Sequence, residues 1–333
     1  MQLQIQNAMS GRLLGIAMIL FVLSVSYSEE TPAQATRSIQ RSAHARQASQ
    51  QTFPTPEAAT QALADAVRGN DSRKMQATLG PGSGRLIRSG DPVEDERGRA
   101  RFLAAYQEAV KIERDRDGSA RVFLGSNEWP LPFPLVHANA GWHFDSRAGA
   151  KEILSRRIGR NELSAVQVCL AYVDAQREYV LKDRDNDGLL EYAQKLISAP
   201  GKRDGLYWQT AQGEPPSPLG PLVAAARSEG YGNAQGNSPQ PYHGYLFKIL
   251  TAQGPHAAGG AYDYIINGRM IGGFALVAWP ARWRASGVTT LIVNHDGVVY
   301  SKNLGLQTAA IVARMARFDP DATWTKESAT PGH

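Results

Sequence analysis

Cysteine is almost absent from this sequence, which contains Cys169 and no other among its 333 residues. A chain with one cysteine has no internal disulfide, so its fold must rest on packing and hydrogen bonding. Cys169 lies among Val166, Leu170 and Val173 at helical spacing. This pattern predicts a thiol that is buried in a hydrophobic core and does not act as a nucleophile.

Sequence motifs that mark catalytic centres are also missing. The histidines form no H-E-x-x-H pair, and no G-x-S-x-G elbow is present. The glycine-rich run 80–84 lacks the lysine of a phosphate loop. These absences favour a protein that is not an enzyme, although a Ser/His/Asp triad assembled only in space leaves no local motif. The formal net charge of +5 is small and spread along the chain, which argues against nucleic acid as a partner.

Long hydrophobic runs are missing as well, apart from one short segment near the N-terminus. Residues 13–25 carry no charge and follow Arg12, but they are too few to cross a bilayer, which needs about 20 residues. Together with the small-x-small site Ala33-Gln34-Ala35, they predict a signal peptide over residues 1–35. We therefore expect a periplasmic or secreted protein, which contacts a membrane only if this segment stays uncleaved.

The rest of the chain is predicted to form two domains of the α+β class. Residues 36–52 have few large apolar side chains and predict a flexible linker. Residues 53–150 predict helices followed by a curved antiparallel sheet. Residues 151–325 predict one long helix followed by an antiparallel meander, and residues 326–333 predict a disordered tail.

The element boundaries come from apolar periodicity, helix caps and the turn signals Asn267-Gly268 and Asp296-Gly297. The predicted elements of the first domain are a helix capped by Thr55, a helix over 97–112, a strand over 120–124 and a hairpin with arms 135–137 and 142–144, which would set His137 opposite His143. Those of the second domain are helices over 147–181 and 189–197, a long excursion over 211–242 rich in Pro, Gly, Ser and Asn, strands over 245–249, 262–266, 270–279, 288–294 and 298–301, and a closing helix over 308–317.

The most specific motif follows the predicted long helix and reads D-x-D-x-D-G over residues 183–188. This is the ligand spacing of a calcium loop. The predicted ligands are the side chains of Asp183, Asp185 and Asp187, the backbone carbonyl of Leu189, and Glu191 directly or through water. We therefore predict Ca²⁺ as a cofactor.

The loop departs from a strong calcium site at its twelfth position, which holds Gln194 instead of a bidentate glutamate. Missing ligands would then come from Asp204 or from the excursion over 211–242. Three aspartates at the negative end of a helix repel one another, and a cation would relieve that cost. Magnesium or manganese could use the same carboxylates. The alternative without any ion is a solvated turn with Lys182 and Arg184 as counter-ions.

Several longer motifs carry a resemblance to a known family. They are Arg157–Leu163, Glu191–Lys195, Asp204–Trp208, Gly273–Pro280 and Phe318–Asp321. Over residues 53–325 the chain resembles a bacterial exported family, the domain-of-unknown-function family 2950, and the resemblance implies an envelope location without a known activity. The second domain is more loosely similar to the globular part of type IV pilins and pseudopilins. It departs from them because a whole domain precedes its long helix.

Taken together, the sequence predicts an exported cell-envelope protein that acts as a non-enzymatic binding or assembly module with a calcium-stabilised loop. Its partner would be an envelope protein or polymer of unknown identity. The alternative is a hydrolase of envelope polymers with its site between the two domains. A third interpretation, a minor pilin, requires the N-terminal segment to remain uncleaved.

Overall fold

Helices come first in the described part of the chain. The structure, a computed structural model, describes residues 50–138, 140–184, 186–232 and 240–327. The predicted signal peptide, residues 36–49 of the predicted linker and residues 328–333 of the predicted tail lie outside these ranges. The helices are α1 (Pro56–Arg68), α2 (Ser72–Leu79), α3 (Gly84–Ile87) and α4 (Pro92–Glu108). Within the described ranges no helix combines the length and hydropathy needed to span a membrane.

Capping side chains explain where these helices begin. The Thr55 hydroxyl accepts a hydrogen bond from the Ala58 N–H at 3.1 Å, and Pro56 occupies the first turn of α1, as predicted. Asp91 caps α4 by accepting hydrogen bonds from the N–H groups of Val93 and Glu94. The helix predicted over 97–112 therefore begins at residue 92, because the strongest cap lies further upstream than the apolar periodicity indicated.

A small antiparallel sheet follows α4. Its strands are β1 (Val110–Arg114), β2 (Ala120–Leu124), β3 (Trp129–Pro130), β4 (Leu135–Ala138) and β5 (Gly141–Phe144), in the order β1-β2-β4-β5, with β3 also paired to β2. The prediction that the preceding helix reaches residue 112 is wrong, since all five residues of β1 pair with β2. His137 pairs with Trp142 and His143 pairs with Val136, so the two histidines are not opposite each other.

One helix of 34 residues, α5 (Ser146–Tyr179), connects this sheet to the rest of the molecule. The Asp145 carboxylate caps it by accepting hydrogen bonds from the N–H groups of Arg147 and Ala148. The second half of α5 buries one face, which includes Ala165, Cys169 and Tyr172. The predicted domain boundary between residues 150 and 151 falls inside this helix.

Strands are the most numerous elements of the C-terminal part. Helix α6 (Gly220–Ser228) precedes them, and helix α7 (Thr308–Arg314) comes near their end. The strands are β6 (Tyr245–Leu250), β7 (Ala252–Gln253), β8 (Tyr262–Asp263), β9 (Ile265–Ile266), β10 (Arg269–Met270), β11 (Ala275–Pro280), β12 (Thr290–Asn294), β13 (Val299–Lys302), β14 (Arg317–Phe318) and β15 (Thr325–Lys326). The main sheet has the order β15-β13-β12-β11-β6, and every pair in it is antiparallel. The predicted α+β class, with a long helix before an antiparallel meander, is confirmed.

Hairpin β9–β10 turns where the sequence predicts, at Asn267 and Gly268, which have φ angles of 51° and 81°. One other prediction for this region is wrong. Residues 189–197 form no helix, because the Tyr192 N–H donates to the Met270 carbonyl and the Ala193 N–H donates to the Gln176 side chain. The excursion over 211–242 contains α6.

Buried apolar side chains of the described residues pack into two cores. One lies between helices α1, α2 and α4 and the first sheet, and the other lies between α5 and the main sheet. Asp91, 1% exposed, connects the two parts of the chain by accepting hydrogen bonds from the Tyr231 hydroxyl at 2.9 Å and the Gly244 N–H at 2.7 Å. The described residues belong to one compact unit, and the division into two domains stays a prediction.

Candidate functional site

The acidic turn over residues 183–191 begins just after α5 ends. The two carboxylate oxygens of Asp183 accept hydrogen bonds from the N–H groups of Asn186 and Gly188, both at 2.8 Å. Gly188 has a φ angle of 87°, the left-handed conformation that the sharp turn requires. The Asp187 carboxylate accepts from the Leu189 N–H at 2.9 Å. The turn is therefore closed by its own carboxylates, and Asp185 lies outside the described residues.

Arg269, from hairpin β9–β10, lies against this turn. Its guanidinium forms an ion pair with Asp187 and lies 3.5 Å from the nearer carboxylate oxygen of Glu191. The structure thus brings together two of the predicted metal ligands, but it does so around an arginine. In the described part of the chain no three His, Cys, Asp or Glu side chains converge closely enough to hold a metal ion.

Gln194, at the twelfth position of the loop, and Asp204, the suggested additional ligand, both have other contacts. The Gln194 amide nitrogen donates to the Gly268 carbonyl at 2.8 Å and so attaches the turn to hairpin β9–β10. Asp204 accepts a hydrogen bond from the Lys195 ammonium at 2.6 Å and another from the Ala199 N–H at 2.8 Å. The Lys195 hydrogen bond is the largest cause that lowers the pKa of Asp204.

A cleft of about 640 Å³ lies beside the acidic turn, and we name it the basic cleft. Four of its lining side chains are basic and two are acidic, and two tyrosine rings complete its wall. The residues that line it are Tyr179, Arg184, Glu191, Tyr192, Gln194, Lys195, Gly201, Lys202, Arg203 and Asp204. The acidic turn and the cleft share Glu191, so they form one continuous surface.

Arg184 is the best-positioned cation in the basic cleft. Its guanidinium lies over two aromatic rings, at 5.2 Å from the centre of the Tyr179 ring and 5.3 Å from the centre of the Trp208 ring. Arg203 lies over the Trp208 ring as well, at 5.7 Å. Both guanidinium groups are therefore within cation–π distance of one indole ring. Such contacts also restrict the long arginine side chains, which otherwise lose rotamer entropy when they bind a ligand.

The charges around Arg184 are only partly balanced. Burial lowers the pKa of its guanidinium, and the nearby Arg203 lowers it further, whereas Tyr179 and Glu178 raise it. Among the described residues no carboxylate lies within ion-pair distance of Arg184. Lys195 and Arg203 differ in this respect, since they lie 2.6 Å from Asp204 and 3.7 Å from Glu214 respectively.

Residues 195–207 fold back on themselves and form one wall of the cleft. The Tyr207 N–H donates to the Leu196 carbonyl, and the Ser198 N–H donates to the Tyr207 carbonyl. Gly205 is required in this fold, because a Cβ atom there would lie 2.7 Å from the Ser198 nitrogen. The Tyr179 hydroxyl donates to the Arg203 carbonyl at 2.8 Å, which attaches the wall to the end of α5. The cleft is therefore set by backbone contacts as well as by flexible side chains.

A second polar cluster lies where the two parts of the chain meet. The His243 Nε2 atom is 3.2 Å from a carboxylate oxygen of Glu229, and Arg97 reaches the same oxygen at 3.5 Å. The Tyr231 hydroxyl accepts a hydrogen bond from the His243 N–H and donates one to Asp91. This cluster supplies a histidine held by a carboxylate, an arrangement that general bases use.

Neither site was predicted as such from the sequence. The sequence indicates Arg184 as a counter-ion of the acidic turn and places Trp208 in a family motif. Arg184 and Trp208 are too far apart in sequence for the period of one helix or strand to bring them together. No local spacing therefore predicts their contact. The contact depends on the irregular path over residues 189–208, of which 189–197 were predicted to be a helix.

Comparison with known proteins gives one match. A family model with the description "Protein of unknown function (DUF2950)" matches residues 50–327. Neither a curated protein nor a solved structure shows a significant match to this chain. The match covers both cores and the basic cleft.

Proposed function

We propose that this chain, which belongs to the DUF2950 family of proteins of unknown function, is an exported, non-enzymatic binding or assembly module of the cell envelope. The basic cleft is the observation that carries this proposal. Concave sites with convergent charged groups and aromatic walls are where proteins usually hold ligands. Its partner would be an envelope protein or polymer.

The export part of the proposal rests on the predicted signal peptide over residues 1–35. Sequencing the N-terminus of the protein recovered outside the cytoplasm tests it, and we expect the mature chain to begin at Thr36. Such an N-terminus would rule out the minor-pilin interpretation, which needs an uncleaved anchor. Recovery of the whole chain in the cytoplasm would contradict export.

The binding part is tested by sedimentation of the purified protein with an insoluble envelope fraction, in a buffer containing calcium. Lys202 and Arg203 are exposed residues of the basic cleft, so their replacement by glutamate reverses its charge. We expect this double variant to remain in the supernatant while the wild type sediments. The matched control replaces two exposed basic residues outside the cleft, Arg116 and Lys151, with glutamate. Equal sedimentation of all three proteins would remove the cleft from the proposal.

Calcium at the acidic turn is a further part of the proposal. It is supported by the D-x-D-x-D-G spacing and by the compact turn that Asp183, Asp187 and Gly188 form. A bound cation would join Asp187 and Glu191 in place of the Arg269 guanidinium, and it would increase the positive charge beside the basic cleft. Its role would be to stabilise this wall of the cleft.

A thermal melt of the protein with calcium and with chelator tests the ion. Calcium should raise the free energy of unfolding by mass action, by about 2.7 kcal/mol at a hundredfold excess over the dissociation constant. We expect Asp185→Asn to abolish this increase. The control is Asp117→Asn, which alters an exposed aspartate of another turn. Identical wild-type melts in the two buffers would favour the solvated turn.

The cluster around His243 supports the alternative, a hydrolase of envelope polymers. A histidine held by Glu229 could take a proton from a water molecule. The test is release of soluble fragments from a labelled envelope fraction, which the alternative predicts to disappear in His243→Ala. His256 is the matched control, since it is exposed and lies 3.0 Å from Asp319 in a similar pair. Absence of fragments from the wild type would rule this alternative out.

A further inference from the structure

We infer that the basic cleft is an oxyanion site, which binds the carboxylate or phosphate groups of an acidic glycan with Arg184 as the anchor. The inference rests on the proposed binding function and adds the chemical class of the ligand. It depends on three observations at Arg184: the aromatic rings beside its guanidinium, the N–H donors that have no acceptor among the described residues, and the charges around it.

The surroundings of Arg184 leave N–H donors for a ligand. The guanidinium carbon lies 5.2 Å from the centre of the Tyr179 ring and 5.3 Å from the centre of the Trp208 ring, within cation–π distance of both. The N–H donors of a guanidinium lie in its plane, at its edge. Nε donates weakly to the Tyr179 carbonyl at 3.4 Å, and no described residue accepts a hydrogen bond from the two Nη atoms. These donors form the fork that fits a carboxylate or a phosphate bidentately.

The electrostatics of the cleft favour an anion. Arg184 keeps its positive charge because a guanidinium does not lose its proton in proteins. It is half-buried, and it shares the Trp208 ring with the like-charged Arg203. Both conditions raise the free energy of the unliganded cleft, since burial removes water and like charges repel. An oxyanion between these cations would offset both costs.

The size and the walls of the cleft indicate a ligand larger than one ion. A volume of about 640 Å³ lies within the range of sites that hold ligands of drug size. Lys202, exposed at the rim, offers a further cation at a second position. The half-buried Tyr192 ring adds an apolar surface to the wall. A segment of an acidic glycan matches this combination, because it alternates negative groups with sugar rings.

Two kinds of acidic glycan carry oxyanions, those with carboxylate groups and those with phosphate groups. Calorimetric titration of the purified protein distinguishes between them. The carboxylate probe is tetragalacturonate, and the fully methyl-esterified tetramer is its uncharged control. The phosphate probe is an oligomer of glycerol phosphate, and free glycerol is its uncharged control. We expect the wild type to bind one or both charged probes and neither uncharged control. Binding of the carboxylate probe alone would identify a uronate-type ligand, and binding of the phosphate probe alone a polyol-phosphate ligand.

Arg184 variants test the anchor. Arg184→Gln removes the charge, whereas Arg184→Lys keeps the charge and removes the planar fork and its stacking. We expect both to weaken binding of the charged probe by about tenfold or more. Arg116→Lys and Arg116→Gln, at an exposed arginine outside the cleft, should bind as the wild type does. A melt of each variant checks that it is folded, and Lys202→Gln tests the rim of the cleft without disturbing a stacked residue.

The outcomes separate this inference from the proposed function. No binding of either charged probe by the wild type, or equal affinity in the wild type and a folded Arg184→Lys, would overturn the oxyanion site. Sedimentation with the envelope fraction would still support a binding module in that case. Conversely, a protein that binds a charged probe but does not sediment with the envelope would keep the oxyanion site and lose the envelope function.

Discussion

Gly149 is the residue at which packing depends most directly on a missing side chain. It lies in the first turn of α5, where a Cβ atom would lie 1.9 Å from the Pro132 carbonyl oxygen. Gly149→Ala must therefore push the helix away from the segment before β4. We expect a loss of about 1–3 kcal/mol in the free energy of unfolding, which chemical denaturation measures.

Gly159, further along α5, is the matched control. A Cβ atom there meets nothing within 4 Å, so Gly159→Ala only improves helix propensity. We expect a gain of up to about 1 kcal/mol. Equal effects of the two substitutions would show that α5 does not approach Pro132 as closely as the structure describes.

The reactivity of Cys169 reports on the packing of the core between α5 and the main sheet. Cys169 is fully buried, and burial raises the pKa of its thiol to about 12. We expect no reaction with a thiol reagent at pH 8 in the folded protein, and complete reaction of one thiol per chain after unfolding. Rapid labelling under native conditions would contradict the position of α5 on the main sheet.

The raised pKa of Cys169 also makes the free energy of unfolding depend on pH. The folded pKa lies above the value of about 8.5 expected for an unfolded thiol. The contribution of the protonated thiol is therefore fully present below about pH 8.5 and is lost as the pH rises towards 12. Cys169→Ala should lack this part of the alkaline decline in a series of melts between pH 8 and pH 11.

At the scale of elements, Arg269 couples hairpin β9–β10 to the acidic turn. Its guanidinium neutralises Asp187 and Glu191, which is also what a bound cation would do. In chelator, Arg269→Gln should lower the melting temperature because these carboxylates then repel each other. With calcium present, the variant should gain more stability than the wild type, since the ion no longer competes with an arginine.

The control for this experiment is Arg314→Gln, at the end of α7, which leaves the acidic turn unchanged. A calcium response that is the same in the wild type and in Arg269→Gln would show that the ion and the arginine do not use the same carboxylates. The solvated turn predicts a destabilised variant with no calcium response at all.

Elements with strong local signals are the ones that the sequence predicts well. Thr55 with Pro56 sets the start of α1, and Asn267-Gly268 sets the turn of hairpin β9–β10. The failures at 97–112 and 189–197 have another cause. There the backbone N–H groups find partners in a neighbouring strand or in the Gln176 side chain, and such partners override helical propensity.

At the scale of the whole molecule, Asp91 unites the two cores. Its carboxylate caps α4 and accepts hydrogen bonds from Tyr231 and Gly244 of the C-terminal part. Burial and then the Asp91 charge raise the pKa of the Tyr231 hydroxyl, so this hydroxyl stays protonated and donates. Asp91→Ala would leave these donors without their acceptor inside the protein.

We expect Asp91→Ala to lower the free energy of unfolding by about 3 kcal/mol or more, from the lost cap and two unsatisfied buried donors. Asp71→Ala is the matched control, because Asp71 caps α2 in the same way but makes no such contact with the C-terminal part. Its cost should be clearly smaller, because only the cap at one exposed helix end is lost. Equal losses in denaturant titrations of the two variants would show that the cores are not coupled through Asp91.

The family and the α+β class were both available from the sequence and are confirmed. Family motifs are contiguous, and a class depends on periodicities that each segment carries by itself. The sequence also determined the acidic turn, since its spacing lies within nine residues. Export, calcium and the identity of the partner stay predictions.

Only the tertiary structure decided where the chemistry converges. Arg184 meets Trp208 because the chain over 189–208 doubles back, and Asp187 meets Arg269 because hairpin β9–β10 lies against the acidic turn. Asp91 and Tyr231, 140 positions apart, meet only when both cores are in place. A local pattern carries no information about such contacts, because their free energy depends on burial and on partners that distant segments supply.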